Sequence, residues 1–221
     1  MIVGVDARVL MDKNYSGVSE YAASLLAALL EIDSDNEYRL FYNSWHNLSA
    51  RFKIWERPNV KIIKTSYPNK IFNYVLQKIF KYPKLDQVIN GCDLFFSPHL
   101  NFSELSSATK KILVVHDLSF LRYPEFFSAR KNIWHKALAV KSLIGVYDII
   151  VAVSESTKSD LIELIGLDPE KIKVIYSGID RPNLNINLAA ADQFLKIKNI
   201  KTPYILYLGN LEPRKNIDGL I

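Results

Sequence analysis

The 221 residues contain a single cysteine, Cys92. That excludes an intramolecular disulfide and points to a reducing compartment. Set between Gly91 and Asp93 ahead of an apolar run, it reads as a buried, inert thiol. The four histidines and this cysteine form no cluster with zinc spacing. No G-x-S-x-G elbow is present, and the glycines form neither a G-x-G-x-x-G string nor a P-loop. No apolar stretch is long enough to cross a bilayer; the longest weakly charged one runs from Tyr21 to Ile32. The opening MIVGVDARVL lacks the basic flank and long apolar core of a signal peptide, so a cytoplasmic location is expected. Internal repeats and low-complexity tracts are absent.

What is present is ordinary for a globular chain: 49% hydrophobic and 23% charged residues. The net charge of +5 is unevenly placed. Between Arg51 and Lys84 lie Arg51, Lys53, Arg57, Lys61, Lys64, Lys70, Lys78, Lys81 and Lys84, against Glu56 alone. Such a local patch points to an anionic partner. Within it, Ile71, Phe72, Val75, Leu76, Ile79 and Phe80 share one helical stripe. Basic amphipathic helices lie on anionic membranes, so residues 51–84 are a candidate contact with the inner face of the membrane. The competing reading buries the stripe in the core and leaves the lysines in water.

Short apolar runs alternate with helical patterns along the chain. The expected strands are Ile2–Val9, Tyr38–Tyr42, Val60–Lys64, Leu94–Phe96, Lys111–Val115, Asp148–Val153, Lys173–Tyr176 and Tyr204–Leu208. The expected helices are Val18–Glu31, Ile71–Lys81, Ala129–Ile144, Glu155–Ile165 and Leu188–Lys198. Continuously apolar runs such as ILVV and IIVAV fit strands covered on both faces. The alternation therefore predicts an α/β fold with a doubly wound parallel sheet. Residues 1–180 form the main domain, 181–203 a polar linker with one short helix, and 204–221 the opening strand and turn of a second domain.

In such a sheet ligands bind beyond the carboxyl ends of the strands. That rule selects five spots. Ser16 and Gly17 sit near a helix N-terminus, where free N–H groups attract anions and a glycine lets a ligand approach; a plain turn is the alternative. His116 and Asp117 follow the run ILVV directly. A histidine there can hydrogen-bond a ligand oxygen or move a proton, and Asp117 either orients the imidazole or caps the next turn. His99 also follows a strand, but Pro98 makes a rigid turn the simpler explanation. Ser154 and Glu155 either line the crevice or cap a helix. Arg214 and Lys215 flank a new helix start and make a phosphate cradle or a solvated pair. His46 and His135 receive no role, and DSD at residues 33–35 reads as a turn rather than a metal motif.

Taken together, YSGVSEY, VHDLSFLRYPEFFS, VAVSESTKSDLIELIGLDPEKIKVIYSGID and ILYLGNLEPRKNIDGLI resemble glycosyltransferase family 4 over nearly the whole chain. These are retaining enzymes with two facing Rossmann-like domains, the GT-B fold, and the wording is most similar to bacterial mannosyltransferase-like members. The resemblance implies that a hexose, mannose-like, moves from a nucleotide-diphosphate sugar to a glycan or lipid-linked acceptor in polysaccharide biosynthesis. It implies neither metal nor other cofactor, and no nucleic-acid partner. Gly17 would let the first loop approach the donor, His116 would stand beside the reacting sugar, and Lys215 with Arg214 would bind the diphosphate. The arginine common after the second-domain glycine is here Asn210, and the usual glycine pair of the first loop is Ser16–Gly17. Most of the second domain would then be missing, making this a truncated form inactive alone. Two other readings stay open: a non-catalytic ligand- or protein-binding domain, and a GT-B-like sugar-nucleotide epimerase.

Overall fold

The computed structural model describes residues 1–11, 16–45, 57–68, 71–179, 187–209 and 211–221. The chain divides into two compact units, Met1–Ser177 and Gly178–Ile221.

The first unit is built on seven parallel strands: β1 (Ile2–Asp6), β2 (Glu37–Asn43), β3 (Val60–Thr65), β4 (Leu94–Ser97), β5 (Lys110–Val115), β6 (Ile149–Ala152) and β7 (Ile172–Val174). Their order is β3-β2-β1-β4-β5-β6-β7, so the winding direction reverses between β1 and β4. β1 ends at Asp6, earlier than its apolar pattern suggests, because Arg8–Met11 winds into a tight turn of helix.

Right-handed crossovers put connections that step one way on one face of the sheet and those that step back on the other. α1 (Gly17–Ile32) follows the first direction. Its Ala22, Leu26 and Leu30 recur at helical spacing and pack on Val3, Val5 and Leu40. The return steps place α2 (Ile71–Phe80, of π-type winding) and α3 (Leu85–Val88) on the opposite face, where Phe72, Leu85 and Ile89 meet Phe41 and Phe95. Further along that face lie α4 (Ser119–Arg122), α5 (Ala129–Leu138), α6 (Val140–Gly145) and α7 (Glu155–Asp160), the last continued by a wider turn over Leu161–Ile165. Leu138, Ile144 and Leu161 close over Leu113, Ile150 and Ile172. On the α1 side, Phe96, Ile112, Val114 and Val151 line a groove of about 300 Å³ that also touches Tyr21.

Several expected elements come out differently. The helix read over Ala129–Ile144 breaks at Ala139, which takes a left-handed conformation with φ of 47°. The basic stripe divides: Phe72 is fully buried and Leu76 packs beside it, whereas Ile79 and Phe80 are exposed. Arg51, Lys53 and Lys70 lie outside the described residues.

In the second unit α8 (Leu188–Ile197) is capped by Asn187, whose side chain accepts from the Ala190 N–H. Tyr204–Leu208, read as a strand, joins no ladder among the described residues; an extended run becomes a strand only when a neighbour pairs with it.

Candidate functional site

At the reversal between β1 and β4 the connections leave toward opposite faces, which opens a crevice at the carboxyl edge. Arg8, His99, His116 and Ser154 follow the ends of β1, β4, β5 and β6 and so gather along that edge.

His116 is partly exposed there. Its Nε2 lies 2.9 Å from the Pro98 carbonyl oxygen. A carbonyl can only accept, so Nε2 carries the hydrogen and Nδ1 is left with a lone pair. The ring meets Tyr21 edge-on, with centroids 4.8 Å apart. Burial pushes the imidazole pKa below 6.5, against the opposing pull of the Pro98 bond and the Asp117 charge. The group therefore stands neutral at pH 7, its one N–H held by Pro98 and its Nδ1 able to accept. Its main-chain carbonyl accepts from Thr157 Oγ1 at 3.1 Å, which fixes the end of β5 to the start of α7.

The neighbouring candidates serve as caps. Asp117 accepts from the Ser119 N–H at 3.0 Å and the Ser119 hydroxyl at 2.6 Å. Ser154 Oγ accepts from the Thr157 N–H at 3.1 Å, as expected of an N-cap serine. Glu155 is exposed in the first turn of α7.

Ser16 caps α1, its Oγ accepting from the Ser19 N–H at 3.2 Å while its carbonyl takes the Glu20 N–H. The remaining first-turn donors belong to Gly17 and Val18. Gly17 is exposed, and a Cβ placed on it would meet nothing within 4 Å. Neither packing nor a left-handed backbone accounts for a glycine at this position. Asp12–Tyr15, the rest of that loop, lie outside the described residues.

The sequence reading missed one group at this edge and set another aside. Asp6 and Arg8 form a buried ion pair at 2.6 Å, signalled only by two charges within the apolar run Ile2–Val9. His99, assigned there to a rigid turn, has no partner at its buried Nδ1, and desolvation pushes its pKa down to about 4. Its charge interactions reach Asp6, Arg8 and His116.

Arg214 and Lys215 occupy a short turn of helix, Pro213–Lys215, in the second unit. Arg214 Nε donates to Glu212 at 2.7 Å, and Lys215 is exposed. Asn210 lies outside the described residues. Among the described residues no group of three or more metal-ligating side chains gathers.

A doubly wound parallel sheet whose reversal point exposes helix-capping loops and an anchored imidazole defines a Rossmann-like α/β domain. The sequence model of Glycosyltransferase Family 4 matches residues 15–181, most of the chain, and the chain belongs to that family. Among solved structures, a glycosyltransferase from Rickettsia africae ESF-5 is similar in fold, with a TM-score of 0.50 and 16% identity over 91% of this chain and 50% of that one. The wall teichoic acid polymerase TagF aligns with a TM-score of 0.45 and 12% identity, over 91% of this chain and 44% of that one. The chain thus spans about half the length of these proteins. A comparison with curated protein sequences gives no match.

Proposed function

We propose that the complete protein transfers a hexose, mannose-like, from a nucleotide-diphosphate sugar to a glycan or lipid-linked acceptor in polysaccharide biosynthesis, with retention of configuration and without a bound metal. The observation that carries this reading is His116, held by Pro98 at the carboxyl edge of the sheet and packed edge-on against Tyr21 of α1, the helix that the exposed Gly17 opens. The imidazole hydrogen-bonds a hydroxyl of the donor sugar, and the Gly17 turn admits the donor close to the main chain. Departure of the nucleotide builds negative charge on the diphosphate, which fixed donors must stabilise. Arg214 and Lys215 supply part of that stabilisation from a second domain, whose remainder the complete protein provides. The 221-residue chain alone does not turn over.

The test is a transferase assay of the complete protein with a panel of nucleotide-diphosphate hexoses. His116→Ala removes the Nδ1 acceptor for that hydroxyl and lowers kcat by roughly 10–10²-fold, the cost of leaving one polar group unpaired. An unchanged rate for His116→Ala, or full turnover by residues 1–221 alone, contradicts the proposal.

A contact with anionic membrane would bring a lipid-linked acceptor to this site. Its support is the end of α2, where Ile79, Phe80 and Tyr82 are 66%, 67% and 65% exposed beside Lys78 and Lys81. Exposed apolar groups framed by cations suit a bilayer interface. Sedimentation with phosphatidylglycerol vesicles should bring the chain down, sedimentation with phosphatidylcholine should not, and Phe80→Ala with Lys81→Ala should abolish the difference. Equal recovery on both vesicle types removes the membrane contact.

A further inference from the structure

The charges beneath the crevice have no part in the reading above. Asp6 has no exposed surface, and Arg8 has 5%. Arg8 Nε and Nη2 donate to the two Asp6 carboxylate oxygens at 2.8 and 2.6 Å. Desolvation offsets most of the attraction in a buried pair, so stability alone is a poor account of one. The remaining guanidinium donors go chiefly to one loop. Nη2 also donates to the Phe102 carbonyl at 2.8 Å and to Ser103 Oγ at 2.6 Å. Ser103 Oγ in turn lies 3.2 Å from Asp6 Oδ2. Nη1 donates to Asn73 Oδ1 of α2 at 3.0 Å, and the Phe41 and Phe72 rings flank the guanidinium carbon at 5.7 Å. A planar fork held on its edges and near two ring faces has little freedom left.

The loop held in this way runs back from Ser103 through His99 to Pro98, and the Pro98 carbonyl is the acceptor for His116 Nε2. We propose that the Asp6–Arg8 pair is the positioning element for His116: it locks residues 98–103 and, through the Pro98 carbonyl, fixes which imidazole nitrogen carries the hydrogen. The pair touches no reacting group. It acts through the loop, as partners behind a functional histidine do elsewhere when they set its tautomer. Lysine cannot replace the arginine here, because one ammonium on a flexible stem cannot reach the carboxylate, the carbonyl and the hydroxyl together. The bearing of this device on transfer rests on the role proposed for His116; the state of the ring does not, so the two fail separately.

The test is the ring ¹⁵N–¹H correlation spectrum of His116 in the 221-residue chain at neutral pH. The unsubstituted chain shows the single Nε2–H form. Arg8→Lys, which keeps a cation beside Asp6, loses that single-form signature and shows both tautomers in exchange. Lys84→Ala is the control: it breaks the 2.7 Å pair with Glu104 further along the same loop, lowers the melting temperature and leaves the ring as it was. A folded Arg8→Lys chain with an unchanged His116 ring overturns the proposal. Should Arg8→Lys fail to fold, Ser103→Ala decides, since it removes only one of the two loop acceptors: mixed tautomers support the lock, and a single Nε2–H form refutes it.

Discussion

Histidines at neighbouring strand ends are held neutral by their surroundings, and His99 pays the larger desolvation penalty. Its pKa near 4 in the fold, against about 6.5 in the unfolded chain, means that the unfolded chain binds the proton more tightly. The resulting stability is fully present above about pH 6.5 and is lost as pH falls toward 4, by about 3 kcal/mol in all. His116 and His135 are also lowered by burial and act with the same sign. The carboxyl of Asp6 is lowered too, so its loss falls below pH 3.8, outside the window of His99. His99→Gln should therefore flatten the decline in urea midpoint between pH 7 and pH 4, while parallel curves for the two chains would refute the assignment. His116 was legible in the sequence because it directly follows ILVV, and an apolar run of that kind fixes where the strand ends. Arg8 was not, because Asp6 and Arg8 fell inside the run Ile2–Val9 read as one strand, and such charges look the same whether they are solvated or locked under a loop. His99 was placed on a turn for a sound local reason, Pro98; what that reading could not see is the Asp6–Arg8 pair, far away in sequence, whose charges reach the ring.

At the scale of elements, β1 shows how tightly the centre of the sheet is built. A Cβ on Gly4 would lie 2.5 Å from Ile89 Cδ1, 2.8 Å from Phe95 Cδ2 and 3.0 Å from Cys92 Sγ. Gly4→Ala should thus cost about 1–3 kcal/mol by overpacking, measured as a drop in urea midpoint; an unchanged midpoint would show that α3 gives way freely. All seven strands of the sheet were readable as β-branched or apolar runs; the central ones owe this to burial on both faces, whereas β3, at the edge, has no buried residue. The helices were readable in existence but less so in continuity. Nothing local marks Ala139 as a break, because neither glycine nor proline stands there and the left-handed turn is imposed by packing on both sides. The stripe of α2 follows helical periodicity throughout, yet only its first half reaches the core. Periodicity records which residues share a face, not how far the neighbouring sheet extends beneath them.

For the whole molecule, strand order and handedness decide where chemistry can occur. Steps from β1 through β3 go one way and steps from β4 through β7 return the other, so a single reversal point faces the carboxyl edge. That much follows from alternating elements and right-handed crossovers. The strand read over Tyr204–Leu208 marks the limit of such reasoning, because a ladder needs partners that an apolar run cannot announce by itself. The chain covers about half of the Rickettsia glycosyltransferase it resembles in fold, and the proposed division of labour assigns diphosphate binding chiefly to the remainder. The most direct measurement is chemical-shift mapping of the 221-residue chain on addition of nucleotide-diphosphate hexoses, with millimolar ligand to reveal weak binding. The Gly17, Val18 and Asp117 amides and the His116 ring should move together, while Asp33–Asn36, at the amino edge where Asn36 binds the N-terminus, should stay fixed. Shifts confined to that amino edge, or none at His116 and Gly17 under saturating ligand, would contradict the account.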